Sequence, residues 1–132
     1  MQIAVTREVL ELLRSEARFA MPSECCGVLL GTKAAIMAIL PARNVHAQPR
    51  TCFEIDPQTL IDAHRAGRAG GPQVLGYYHS HPHGPAHPSQ TDRAQAAHDG
   101  SIWAIVAPGG DISFWQDDQS GFTALPYAVD DG

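Results

Sequence analysis

Two apolar runs, Cys26 to Leu30 and Ala34 to Leu40, stand apart by only Gly31-Thr32-Lys33. Runs of that length around a glycine-bearing connection spell a β-hairpin, with the glycine in the turn. What precedes it is helical. After a short strand at Gln2 to Val5, Val9, Leu13, Ala17 and Ala20 recur at helical spacing, and Leu10 and Leu12 widen the stripe, so a helix is predicted over Thr6 to Phe19. Pro22 bars its continuation. Downstream, the polar stretch Pro41 to Arg50 reads as a loop, and Thr51 to Ile55 alternates like a strand. Asp56 as N-cap and Pro57 in the first turn open a second helix that runs to about Arg68, where Gly70-Gly71-Pro72 stops it. Gln73 to His79 reads as a strand running into a histidine-rich loop, and Pro88-Ser89 precede a third helix to about His98. Three strands close the pattern at Ile102 to Ala107, Ile112 to Gln116 and Phe122 to Tyr127, the first two joined by a tight turn at Pro108-Gly109-Gly110-Asp111. The expected fold is α/β: a single domain over residues 1–132, with one mixed sheet flanked by about three helices.

Composition excludes several classes. The hydrophobic fraction of 44% and charged fraction of 17% are those of a globular chain. A net charge of −5, with arginines scattered from Arg14 to Arg93, argues against nucleic acid as a partner, because phosphates call for a basic stripe. No apolar stretch is long enough to cross a bilayer, and Met1 to Glu8 lacks the basic start and apolar core of a signal peptide, so no membrane partner is expected. The three cysteines are odd in number, and the adjacent Cys25 and Cys26 are poorly placed to bridge each other. Reduced thiols in the cytoplasm are the expectation.

The densest chemical information lies in Tyr78-His79-Ser80-His81-Pro82 and Ser89-Gln90-Thr91-Asp92. Residues i and i+2 of a strand project to the same face, so His79 and His81 present their imidazoles side by side. Pro82 ends the pairing there. Ser89 and Asp92 share one end of the next helix. If the loop folds back, two imidazoles and a carboxylate supply three ligands and leave a fourth position open, as a catalytic zinc requires. Each half also has a plainer reading: Ser89-x-x-Asp92 is equally a helix-capping pattern, and His-x-His is common on solvated loops.

His79-x-His81-Pro82, six residues, then Ser89-x-x-Asp92 resembles the metal motif of the JAMM (MPN-plus) metallopeptidases. Pro22-Ser23-Glu24-Cys25-Cys26-Gly27-Val28-Leu29-Leu30-Gly31 is similar to the glutamate-bearing segment of the family's small stand-alone bacterial members. Asn44 and Phe53-Glu54-Ile55 also sit where the family has similar elements. The resemblance spans nearly the whole chain and implies a JAMM/MPN, cytidine-deaminase-like layout. It further implies that His79, His81 and Asp92 bind zinc, that Glu24 is the general base, and that Ser89 donates a hydrogen bond to the oxyanion of the tetrahedral intermediate. The chemistry is coherent: zinc makes water acidic, a carboxylate relays its proton to the leaving amine, and a hydroxyl stabilises developing charge. On its own, Glu24 would pass for a solvated surface charge.

Relatives in that family cleave bonds after the Gly-Gly end of ubiquitin-like proteins, so the resemblance implies a ubiquitin-like or sulfur-carrier protein as partner, its tail lying extended and adding as a strand near the active-site sheet edge. The alternatives are a zinc peptidase acting on short peptides or small amides and a non-catalytic scaffold of the same fold. A deaminase-like zinc enzyme would need a Pro-Cys-x-x-Cys pair, which this sequence lacks. Among the remaining candidates, Cys52 and at least one of Cys25 and Cys26 read as packing residues, although Cys25 and Cys26 could also be redox centres or ligands. Trp103 and Trp115 read as core. His46, His64 and His98 read as surface residues, and His83 and His87 as solvated or as part of a substrate groove.

Overall fold

A computed structural model describes residues 2–131. Thr6 closes the first strand, β1 (Ile3–Thr6), and opens the helix α1 (Arg7–Ala20). Its extended backbone and its Oγ1, which accepts from the Val9 amide at 3.2 Å, fix that boundary. Val9, Leu10, Leu13 and Ala17 are the buried face of α1, whereas Leu12, expected to widen the stripe, turns outward and is exposed. The buried residues pack with Ile3, Val5, Leu29, Ile36, Tyr78, Ala104, Val106 and Phe114 in one apolar core. Each Val or Leu buried completely there contributes roughly 1.5–3 kcal/mol.

The hairpin forms from β2 (Cys26–Thr32) and β3 (Ala35–Ala42). Its turn is one step later than expected: Gly31 lies inside β2, and Lys33 takes the left-handed backbone conformation at the tip, φ 50°. Gly31 is needed for a different reason, since a Cβ there would collide with the Ala35 carbonyl where the register shifts between Leu30 and Gly31. The helix α2 (Pro57–Arg68) follows the sequence closely, with the Asp56 side chain accepting from the Gln58 amide. Thr51 to Ile55, expected as a strand, makes only an isolated bridge between Asn44 and Ile55. The Asn44 side chain takes the Cys52 carbonyl and the Glu54 amide, while the Glu54 carbonyl accepts from the Val45 amide and the Thr51 and Cys52 amides donate to the Gln48 carbonyl.

The rest of the chain comprises β4 (Gln73–Ser80), α3 (Gln90–Gln95), β5 (Ile102–Val106), β6 (Ile112–Asp118), β7 (Gly121–Leu125) and β8 (Tyr127–Asp130). All eight strands form one mixed sheet in the order β7-β6-β5-β4-β2-β3-β1-β8. Phe122 to Tyr127, expected as one strand, is therefore two. Pro126, which has no amide hydrogen for a ladder, divides them. Because β7 and β8 lie at opposite edges yet are joined by that single residue, the sheet must curl until its edges meet. The Phe114 and Tyr127 rings accordingly stand 4.9 Å apart, although β6 is second from one end of the order and β8 is the other end. The curl wraps the apolar face of the sheet around α1. Among the described residues, no helix is long and apolar enough to cross a membrane.

Two departures concern the surroundings of the site. The third helix spans only Gln90–Gln95 and stops well before His98. Its buried residue is the charged Asp92, so no apolar stripe carries it further. Asp117 then captures the next segment, its Oδ2 accepting from the His98 amide at 3.0 Å. Trp103 is buried as expected, but Trp115 is half-exposed, its indole N–H donating to Ser113 Oγ.

Candidate metal centre and catalytic cleft

The centre lies at the carboxyl end of β4, which runs parallel to β5. The crossover between those two strands carries α3 and brings Asp92 back to the strand that bears the histidines. Carboxyl ends of parallel strands are where an α/β sheet opens a crevice. Alternation puts Tyr78 and Ser80 on the face toward α1, and His79 and His81 on the other. Tyr78 fits beneath α1 because Gly27 lies opposite it, and a Cβ at Gly27 would occupy the space of the Tyr78 ring.

Three ligand-type groups converge. His79 Nε2 is 3.0 Å from Asp92 Oδ1, His81 Nε2 is 3.0 Å from Asp92 Oδ2, and the two imidazole nitrogens are 3.1 Å apart. The side chains of all three are buried. His81 Nδ1 stands 2.8 Å from the Pro85 carbonyl, which accepts its N–H and turns Nε2 toward Asp92. His79 is held by stacking, with the Phe53 ring centroid at 4.3 Å and Trp103 meeting it edge-on at 5.6 Å. A carboxylate and two imidazole nitrogens aimed at one point are acceptors short of a positive charge. His79, His81 and Asp92 could hold a metal ion.

The electrostatics agree. Burial alone would raise the Asp92 carboxyl, but hydrogen bonds from His79 and His81 outweigh it and hold the group below the usual carboxylate range. Burial pushes the His79 imidazole down, toward the neutral form a ligand needs. At His81 burial acts in the same direction, but the bonds to Asp92 and Pro85 prevail and raise it. A proton on His81 therefore occupies the place a cation would take, and metal and proton compete for it.

Sheet register brings Glu24 to this centre. The pairs Gly27 with Tyr78 and Cys26 with His79, extended by the bond from the Ser80 amide to the Cys25 carbonyl, leave Glu24 opposite His81. Ser80 Oγ accepts from the Cys25 amide at 2.8 Å and pins this segment. From the other side, Asn44 donates to the carbonyls of Glu24 and Cys52 and accepts from the amides of His46 and Glu54. The Glu24 side chain is buried and its Oε1 has no hydrogen-bond partner. Burial raises its carboxyl to about 7, repulsion from Asp92 adds to that, and His81 opposes it.

Ser89 takes the capping reading of its motif, and the cap lies against the candidate ligand Asp92. Its Oγ accepts from the Asp92 amide at 3.0 Å, while its own amide donates to Asp92 Oδ2 at 2.9 Å, a complete capping box. The box holds the Asp92 carboxylate on the histidines. Glu24, His81 and Ser89 line one cleft of about 320 Å³ together with Arg50, Thr51 and Pro85. His83 and His87 also line it and are exposed. Cys25 and Cys26 are buried, burial lifts their thiols to about 11 and about 12, and neither belongs to the group formed by His79, His81 and Asp92. Cys52 is half-buried in the Asn44 loop. His64 and His98 are exposed, whereas His46 is half-buried, its Nδ1 accepting from the Gln48 amide.

Residues 6–118 match the prokaryotic homologs of the JAB domain. The chain belongs to that family. It is 36% identical over 126 residues to the desampylase of Haloferax volcanii, spanning 92% of this chain and 89% of that protein. A probable TtuB-protein conjugate cleaving protease of Thermus thermophilus is 37% identical over 92 residues, spanning 70% of this chain and 62% of the protease. In three dimensions the chain is similar to a protein of Desulfitobacterium hafniense solved in solution. The TM-score is 0.88 at 25% identity, over 100% of this chain and 94% of that one. The mixed sheet with its three helices is thus the JAB/MPN layout that the motif implied.

Four residues around this prokaryotic JAB centre had little or no signal as site residues in the sequence. Asn44 was visible only as a family-like position, and Ser80 only as the residue between two histidines. Phe53 and Trp103 read as strand residues, and nothing local says that their rings meet His79.

Proposed function

We propose that this chain is a zinc metallopeptidase that hydrolyses the bond after the C-terminal Gly-Gly of a ubiquitin-like or sulfur-carrier protein. The observation that carries the reading is the pairing of a three-ligand cluster with a buried, partnerless carboxylate oxygen on Glu24. Two imidazoles and one carboxylate are a zinc donor set. Their separations of 3.0 to 3.1 Å fall just under the ~3.3 Å between ligands of a tetrahedral ion with bonds of about 2.0–2.1 Å. The names of the Haloferax and Thermus relatives add that proteins of this kind act on conjugates of small protein modifiers.

When bound, zinc acts as a Lewis acid and makes water acidic enough to lose a proton near neutral pH. The remaining steps belong to the chain. Glu24, desolvated and facing His81, takes a proton from the attacking water and delivers it to the departing amine. Ser89 Oγ already accepts from the Asp92 amide, so its own O–H is free to donate to the oxyanion. Pro85 orients His81, and Phe53 and Trp103 exclude water from the back of His79. The substrate tail lies extended in the cleft between Arg50-Thr51 and the proline-rich loop. It does not add to β4, which is paired with β2 on one side and β5 on the other.

The test is to incubate the zinc-loaded chain with a Gly-Gly-tailed carrier conjugated to a lysine or extended at its C-terminus, and to weigh the products. A carrier ending in Gly-Gly is expected from the wild type, with none from Glu24→Gln at about one zinc per chain. A fully zinc-loaded wild type that leaves every carrier intact but cuts short peptides would replace this reading with the short-peptide one.

A further inference from the structure

On the far side of His81-Pro82 lies a second cleft, of about 260 Å³, between the C-terminal half of α1 and the turn Pro108-Gly109-Gly110. It shares His81 and Pro82 with the catalytic cleft and contains Arg14, Arg18 and Met21. Arg14 and Arg18 are one helical turn apart and so point from the same face of α1. Arg14 donates its Nε–H to the Gly110 carbonyl at 2.9 Å, which fixes the guanidinium and keeps its other N–H groups for a ligand. No carboxylate lines this cleft, and among the described residues neither arginine appears in an ion pair. In a chain of net charge −5 that is a local excess of positive charge beside the reacting centre.

We infer that Arg14 and Arg18 bind the free carboxylate of the leaving group, so that the preferred substrate carries a short C-terminal extension, of one to a few residues, after its Gly-Gly. This rests on the peptidase reading above. The extended Gly-Gly tail occupies the cleft along Arg50-Thr51, and the residue after the scissile bond passes over His81-Pro82 into the arginine cleft. The two clefts share His81 and Pro82, so a short extension, at about 3.3–3.6 Å per residue, leads from one into the other. Guanidinium and carboxylate match as planar, charge-assisted partners. Hydrolysis breaks the C–N bond after the second glycine: the water oxygen stays on the new glycine carboxylate, the amine takes a proton, and the short amino acid or peptide leaves from the arginines. A side-chain-linked lysine within a protein offers no carboxylate at that distance, so it gains nothing from this cleft.

Two measurements test this. In the first, a Gly-Gly carrier extended by Ala-Ala is compared as free acid and as C-terminal amide. The free acid is expected to show a KM roughly tenfold or more lower at similar kcat. Arg14→Gln/Arg18→Gln should erase that difference while leaving cleavage of the amide and zinc content unchanged. Arg18→Gln alone, at an exposed position whose side chain makes no hydrogen bond among the described residues, should erase part of it without risk to the fold. The second uses no turnover: Ala-Ala and its amide are titrated into the ¹⁵N-labelled chain while the arginine Nε signals are followed. Shifts at Arg14 and Arg18 with the acid only are expected. Equal KM for acid and amide, or no arginine shift with either, overturns the inference. Arginine shifts without carrier cleavage would retain the carboxylate site and remove the peptidase reading.

Discussion

Helices α1 and α3 begin alike and are held differently. Thr6 and Ser89 each place a hydroxyl on the amide three residues on, at 3.2 and 3.0 Å. Beyond the cap, α1 extends for 14 residues behind four buried apolar side chains, whereas α3 has 6 residues and buries the carboxylate of Asp92. Six residues are far too few to stand without outside support. The hydrophobic core supplies that support for α1. For α3 it comes from the capping box and the charge balance at His79 and His81. A structural helix and a site helix thus share a start signal but differ in what would unfold them.

The largest effect should come from removing that charge balance. Asp92→Ala is expected to lose both metal and activity and to melt α3, with α1 intact. Zinc analysis and amide exchange would show this, and retained protection in α3 would erase the contrast between the helices. Next, Glu24→Gln should lower turnover by about 10²–10⁴ with metal content unchanged, because it deletes a proton carrier and not a ligand. A variant with normal turnover would remove Glu24 as base. Leu13→Ala, at the centre of the α1 face, should cost about 2–5 kcal/mol in denaturant melts and leave metal affinity alone. The smallest effect is the sharpest: Thr6→Ala and Ser89→Ala should each cost about 1 kcal/mol of cap stability, but only Ser89→Ala should also reduce catalysis. Equal activity in the two would reduce Ser89 to a cap.

Sequence was legible where a pattern is local. The α1 stripe apart from Leu12, the Asp56-Pro57 start of α2, the run of β4 into two histidines and the Ser89-x-x-Asp92 cap all read correctly, since each is set by the period of one element or the chemistry of one cap. It misled where a distant group competes. Thr51 to Ile55 alternates like a strand, yet Asn44 takes up the Cys52 carbonyl and the Glu54 amide. Ala96 to His98 could have continued α3, yet Asp117 captures the His98 amide. Pro126 marks a break within Phe122 to Tyr127, but only the curl of the sheet reveals that the two halves pair at opposite edges.

By itself the sequence determined the candidate donors: two imidazoles on one strand face and a carboxylate one helical turn beyond a cap, groups that could hold a metal ion once the loop between them folds back. Spacing along a chain of fixed geometry is enough for that. Only the tertiary structure decided which groups surround the donors. Glu24 reaches His81 through the register of β2 on β4, Phe53 and Trp103 reach His79 from a loop and a neighbouring strand, and Arg14 and Arg18 reach the far side of His81 from α1. Register, loop closure and helix docking are fixed by burial of the whole apolar face, so no local stretch of sequence encodes them.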